Sequence, residues 1–214
     1  MSRDAILAKI DRANAGRTAK DVSAAAAALI ATPDAYRAGF APLPVYDRFV
    51  AKATSETVTA TISELATLAD IPNAVAAYLN ENDLSAQIAL QPRAALTALN
   101  WSGIETVAQA QMNEAAALTF ADLGIAETGS LVFQTGPDAP VLLNFLPLHH
   151  LVVLRRSTIL PHMEDVFDQM GTTTKEQKRS LNIITGTSGT ADIEAKNVRG
   201  AHGPRFMHIY CIDT

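Results

Sequence analysis

Between Thr185 and Pro204 the chain carries its densest set of side chains able to do chemistry. Thr185-Gly186-Thr187-Ser188-Gly189-Thr190-Ala191-Asp192-Ile193-Glu194 is followed by Gly200-Ala201-His202-Gly203-Pro204. One apolar run, Leu181 to Ile184, leads into the first stretch, and another, Met207 to Ile212, follows the second. Glycines and hydroxyls at the end of a strand leave backbone N–H groups free to face an anion. Thr185, Gly186, Thr187, Ser188, Gly189 and Thr190 therefore form a candidate anion cradle. Asp192 and Glu194 add two carboxylates, and His202, between glycines in a loop, adds an imidazole that suits proton transfer or, equally, a structural hydrogen bond to a nearby carbonyl. The same residue types also suit a tight turn followed by a helix cap.

Glu127-Thr128-Gly129-Ser130 is the second unusual segment. An acidic residue ends one strand, and a hydroxyl and a glycine lead into the next. Glu127 is a candidate nucleophile or base facing the 185–190 loop, with Thr128, Gly129 and Ser130 beside the ligand. A hairpin with a solvated glutamate is the plainer reading of the same four residues. His149 and His150 are adjacent, so in a strand they point to opposite faces and cannot chelate one metal ion together. His208 within a strand reads as structural, and no metal site is expected.

The chemistry needs elements to hold it in place. Thr57–Ile62, Gln87–Leu90, Ala117–Phe120, Gly124–Glu127, Ser130–Gln134, His150–Leu154, Leu181–Ile184 and Phe206–Ile212 read as strands. Helical patterns fall between them, over Tyr46–Lys52, Ser63–Asn80 and from Ser157 or Thr158 to Met170. His150–Leu154 is apolar throughout, as a central strand covered on both faces should be. The last strand is expected to close the sheet. Residues 1–44 read as a helical N-terminal arm broken by Pro33, Gly39, Pro42 and Pro44. Residues 45–214 read as one α/β domain, a parallel or mixed sheet with helices on both faces.

Composition narrows the function. The 214 residues are 48% apolar and 18% charged, with a net charge of −5 and no Lys/Arg cluster. Nucleic-acid binding needs a basic face and is disfavoured. The only cysteine, Cys211, rules out an internal disulfide and leaves no ligand set for an iron–sulfur cluster. The longest apolar stretch, Ala24 to Ala31, falls far short of the ~20 residues that span a bilayer. The first fourteen residues lack the apolar centre of a signal peptide. A cytoplasmic protein is expected.

Three segments, in order, resemble one family. Ala121-Asp122-Leu123-Gly124-Ile125-Ala126-Glu127-Thr128-Gly129-Ser130-Leu131-Val132 resembles an A-D-x-x-I-A-[ED]-T-G-[ST]-L-V pattern. Thr185 to Glu194 resembles S-G-P-S-x-T-A-D-I-E, and Gly200 to Pro204 resembles G-x-H-G-P. These mark the LUD domain, the C component of the bacterial lactate-utilisation system. The match is specific over about residues 115–214. It departs from the pattern at Thr187, where proline is common, and at Gly189; the missing proline loosens the loop.

The resemblance implies a NagB/RpiA/CoA-transferase-like fold. It also implies a part in oxidising L-lactate to pyruvate, with cysteine-rich iron–sulfur proteins of a lactate-utilisation operon as partners and no cofactor in this chain. In such a role the chain binds a small anionic metabolite or organises the complex. Two other functions fit the residues: a stand-alone enzyme on a phosphate- or CoA-bearing molecule, and a scaffold without catalysis. In a parallel sheet, ligands bind beyond the carboxyl ends of the strands. Glu127, Thr128, Gly129, the 185–190 loop, Asp192, Glu194 and His202 are therefore expected to share one pocket.

Overall fold

The computed structural model describes residues 2–32, 42–111, 114–171, 178–191 and 197–213. The chain divides into two compact units, Met1–Ala41 and Pro42–Thr214. The first holds α1 (Arg3–Ala13) and α2 (Ala19–Ala31). Thr18 starts α2 with a reciprocal cap: its hydroxyl accepts from the Asp21 N–H at 3.2 Å, and the Asp21 carboxylate accepts from the Thr18 N–H at 2.9 Å. Neither helix buries a residue, and Ile6, Leu7 and Ile10 are exposed together on α1.

The second unit runs α3 (Val45–Ala53), β1 (Thr61–Leu65), α4 (Ile71–Glu81), β2 (Gln87–Leu90), α5 (Ala94–Thr97), β3 (Glu105–Val107), β4 (Ala116–Phe120), β5 (Leu123–Ile125), β6 (Ser130–Gln134), β7 (His149–Arg155), β8 (Ile159–Leu160), α6 (Glu164–Met170), β9 (Leu181–Ile184), β10 (Gly189–Ala191), β11 (Asn197–Arg199) and β12 (Phe206–Ile212). Six strands form one sheet in the order β1-β12-β7-β4-β2-β3, every pair parallel. A second, mixed sheet has the order β8-β5-β6-β9, and β10 and β11 make a separate antiparallel ribbon.

The layers follow from alternation along the strands. Leu151 and Val153 of β7 face α4, where Ile71, Val75 and Leu79 cover them. Val152 and Leu154 face the other way, onto Phe49 and Ala53 of α3 and onto Leu131 and Phe133 of β6. Val132 of β6, between those two, points out to Val166 of α6. Each fully buried Leu, Val or Phe contributes about 1.5–3 kcal/mol of transfer free energy. So the parallel sheet is covered by helices on one face, and on the other by α3 and the small sheet. Among the described residues no helix is long and apolar enough to cross a membrane.

Three expected elements differ. The helix expected over 63–80 begins only at Ile71, because Ser63–Leu65 pair with β12 and a turn at Leu68–Asp70 intervenes. Thr67 caps that turn, its N–H and hydroxyl both donating to the Asp70 carboxylate at 2.9 Å. The helix expected from 157 to 170 is split by Pro161, which has no N–H to continue a helical ladder, and α6 starts at Glu164. The last strand does not close the sheet: β12 lies between β1 and β7, hydrogen-bonded on both sides. An unbroken run of buried residues from Met207 to Ile212 is what such an inner position requires.

Asp122 ties the two sheets together at the carboxyl end of β4. Its carboxylate accepts from Arg93 Nη2 at 3.0 Å and from the Gln134 N–H at 2.8 Å. Asp122→Ala leaves a half-buried guanidinium and an N–H without that partner. It should lower unfolding free energy by about 2 kcal/mol, read as a lower urea midpoint. Asp213→Ala, which breaks the exposed pair with Arg156 at 2.9 Å, should cost less than about 1 kcal/mol. Equal losses in the two variants would refute the bridging role of Asp122.

Candidate functional site

The antiparallel pairing of β6 with β9 sets Leu131 against Ile184, so the next residues outward, Ser130 and Thr185, meet. Their hydroxyl oxygens are 2.6 Å apart, and Thr128 Oγ1 lies 2.7 Å from Ser130 Oγ. Three hydroxyls from two motifs, 55 residues apart in sequence at their join, thus form one hydrogen-bonded seam. The chain then turns at Gly186, whose φ of +75° a side chain would rarely adopt, against the backbone of Val58. Gly129, with φ +69°, packs in the same way on Ala53 at the end of α3.

Beyond the turn the backbone donors are taken. The Thr187 N–H donates to the Val58 carbonyl at 3.2 Å, and the Ser188 N–H to the Pro204 carbonyl at 2.8 Å. Thr187 Oγ1 is 2.7 Å from Thr59 Oγ1. The cradle of free amides expected from the sequence is therefore filled at Thr187 and Ser188 by carbonyls of the chain itself. Gly189 and Thr190 belong to β10, opposite Arg199 and Val198. The Gly203-Pro204 turn does reach the loop, so all three motifs touch.

Glu127 turns away from this seam. Its carboxylate accepts from the Met163 N–H at 2.8 Å and lies 3.0 Å from His162 Nδ1, in the segment joining β8 to α6. Both side chains are less than a fifth exposed. The carboxylate fixes the orientation of the ring and favours the tautomer protonated on Nδ1. The Asp165 carboxylate accepts from the His162 N–H at 3.0 Å. Glu127 and Gly186 do share one end of the small sheet, where β5 and β9 end and β6 begins. His202 is exposed in the bend at 201–203. Asp192 and Glu194 lie outside the described residues.

The seam's position also departs from expectation. Val58 precedes β1 and Pro204 precedes β12, so the Thr185–Ser188 turn borders the amino ends of the parallel strands, not their carboxyl ends. The reason is that β9 runs in the second sheet, and its direction is not tied to that of the six-stranded one. Sequence reasoning passed over His162 and Thr59. The only local signal for the first is Pro161-His162 ahead of two acidic residues. The second has none in its residue type, because a β-branched threonine seldom takes the left-handed φ of +63° found here, at the end of a turn in which its N–H donates to the Ser55 carbonyl at 2.8 Å.

The strand histidines occupy opposite faces. His149 Nδ1 lies 3.0 Å from the Tyr78 hydroxyl, and His150 Nε2 hydrogen-bonds Thr119 Oγ1 at 2.8 Å. Burial holds His149 below the usual imidazole range and pushes His150 down to about 3. His208 Nδ1 pairs with Thr61 Oγ1 at 2.7 Å, and burial lowers it to about 4. Among the described residues no group of three or more His, Cys, Asp or Glu side chains could hold a metal ion.

A family model described as the LUD domain matches residues 18–212. An uncharacterized protein, YkgG, from Escherichia coli strain K12 is 34% identical over 105 residues, 48% of this chain and 45% of that protein. Proteins named lactate utilization protein C from Macrococcus caseolyticus and Bacillus subtilis are 34% and 32% identical over 90 residues, 41% of this chain and 39% and 38% of theirs. The chain thus spans less than half the length of these relatives. A crystal structure of a DUF162 family protein from Deinococcus radiodurans superposes with a TM-score of 0.59, at 18% identity, over 80% of this chain and 99% of that one. That likeness shows a shared α/β fold.

Proposed function

The chain belongs to the LUD-domain family, and from that premise we propose that it serves lactate utilisation as a component without an iron–sulfur cluster, beside cysteine-rich partners that carry them. The relatives named lactate utilization protein C support the process. The placement of Cys211 supports the division of labour. The one thiol of the chain sits fully buried on the inner strand β12, and burial pushes it up to about 11. A cysteine that ligates a cluster must be a thiolate within reach of iron. Cys211 meets neither condition.

Oxidising L-lactate to pyruvate removes two electrons and two protons from the 2-hydroxy acid. In this reading the electrons pass to clusters on the partners. The chain's part is to hold the anionic metabolite against the Thr128–Ser130–Thr185 seam, whose hydroxyls can both donate and accept. The Glu127–His162 pair stands on the same end of the small sheet. A stand-alone enzyme for phosphate or CoA substrates has less support, because it would draw on the amides of Thr187 and Ser188 that carbonyls already occupy.

Deleting the gene should abolish growth on L-lactate and spare growth on glucose. Tagged wild-type chain should restore it and bring down brown, iron-containing partners, while the chain purified alone stays colourless. Glu127→Gln keeps the shape but weakens the hold on His162. It should lower L-lactate-dependent oxygen uptake at least about tenfold with the protein still folded. A deletion strain that grows normally on L-lactate would overturn the proposal.

A further inference from the structure

A cavity of about 340 Å³ opens at the amino ends of β1 and β12, on the α4 face of the parallel sheet. Three rings stand on its walls. Tyr78 from α4 and Phe206 and His208 from β12 line it, with the His208 ring 5.0 Å from that of Tyr78 and the Phe206 ring stacked at 4.4 Å on His149. Phe206 is 41% exposed, an unusual position for an aromatic residue at the start of an inner strand. Polar groups stand among the rings. Glu81 and Asn82 come from the end of α4, and Thr59 from the approach to β1.

Charge decides what such a cavity can take. His208 gives one nitrogen to Thr61 and stays neutral, since burial lowers it to about 4. Among the described lining residues the one formal charge is then the Glu81 carboxylate. The Arg205 guanidinium stands 5.6 Å from the centre of the Phe206 ring and is not among the described lining residues, so a small carboxylate such as L-lactate inside the cavity would meet the like charge of Glu81. A flat ring would meet aromatic surface, with an acceptor in Glu81 for its N–H or amino group.

We propose that this cavity binds a planar, uncharged nitrogen heterocycle of the nucleobase or nicotinamide class, stacked against Tyr78 and Phe206 and hydrogen-bonded to Glu81. Thr59 couples it to the motif loop. Its φ of +63° is rare for a β-branched residue, and its hydroxyl holds Thr187. A ligand pressing on Thr59 therefore presses on the turn that carries Thr185. This site is separate from the hydroxyl seam and does not depend on the reading of lactate chemistry.

Calorimetric titration of the full chain with adenosine and with nicotinamide, alongside NMR of the histidine rings, tests it. At least one probe should bind with a Kd below about 1 mM and shift the His208 ring resonances. Phe206→Ala, which truncates a part-exposed side chain, should weaken that binding about tenfold, and Glu81→Gln, on the exposed end of α4, about threefold. L-Lactate at the same concentrations should leave the His208 resonances unmoved. The proposal is overturned if neither heterocycle shifts them at about 10 mM, if both variants bind like wild type, or if L-lactate shifts them equally.

Discussion

Between pH 7 and pH 5 the folded protein should lose about 4 kcal/mol of stability through His150 and His208 alone. Both are buried, His150 completely, and both stay neutral in the fold, at about 3 and about 4. In the unfolded chain each titrates near its ordinary 6.5. As the pH falls through 6.5 the unfolded state takes up protons that the folded state refuses, so unfolding gains. The contribution is whole above 6.5 and drains away below it. The His208 share levels off near pH 4 and the His150 share near pH 3. His149, also held low by burial, adds in the same direction.

Urea unfolding at pH 7, 6 and 5 measures this directly. The midpoint should fall steadily at a nearly constant m-value. His208→Gln should remove about half of the pH dependence while retaining a partner for Thr61 Oγ1. A stability that stays flat from pH 7 to pH 5 would mean that these imidazoles accept protons in the fold and are not sealed as described. Ordinary carboxylates contribute little over this range, because their values lie near 4, below its lower limit.

Much of the strand pattern was legible because it is local. β6 and β7 are apolar runs bounded by polar or turn residues, and the opposite placement of His149 and His150 follows from the two-residue period alone. The meeting of Ser130 with Thr185 was also foreshadowed, since both stand where an apolar strand starts or stops. What failed depended on partners remote in sequence. Ser63–Leu65 has helical company in the sequence and becomes β1 because β12 lies alongside. The amides of Thr187 and Ser188 looked free because the carbonyls that take them, on Val58 and Pro204, come from other elements. Glu127 was read as facing the loop, but Met163 and His162, brought in by the break at Pro161, turn its carboxylate the other way. A strand's existence is written in its own residues; which groups it satisfies is written elsewhere in the chain.

Gly186→Ala should be among the most damaging single-methyl changes in this protein, costing roughly 3–5 kcal/mol. Two penalties add. A φ of +75° costs an alanine about 1 kcal/mol or more over glycine. The new Cβ would also overlap the Val58 carbonyl, lying 2.6 Å from its carbon and 2.8 Å from the Val58 Cα. That carbonyl is not free to retreat. It accepts from the Thr187 N–H at 3.2 Å and from the Thr59 hydroxyl at 2.6 Å, so moving it breaks the contacts that position the loop. Gly103→Ala isolates the first penalty, because Gly103 has φ +86° and nothing within 4 Å of the added carbon. It should cost only about 1 kcal/mol. Gly129→Ala, 2.5 Å from the Ala53 nitrogen, should resemble Gly186→Ala. Urea unfolding of the three variants separates backbone conformation from close approach. If Gly186→Ala falls within about 0.5 kcal/mol of Gly103→Ala, the turn does not rest on Val58. The seam would then have to be held by its hydroxyls alone, and Ser130→Ala would become the more damaging change.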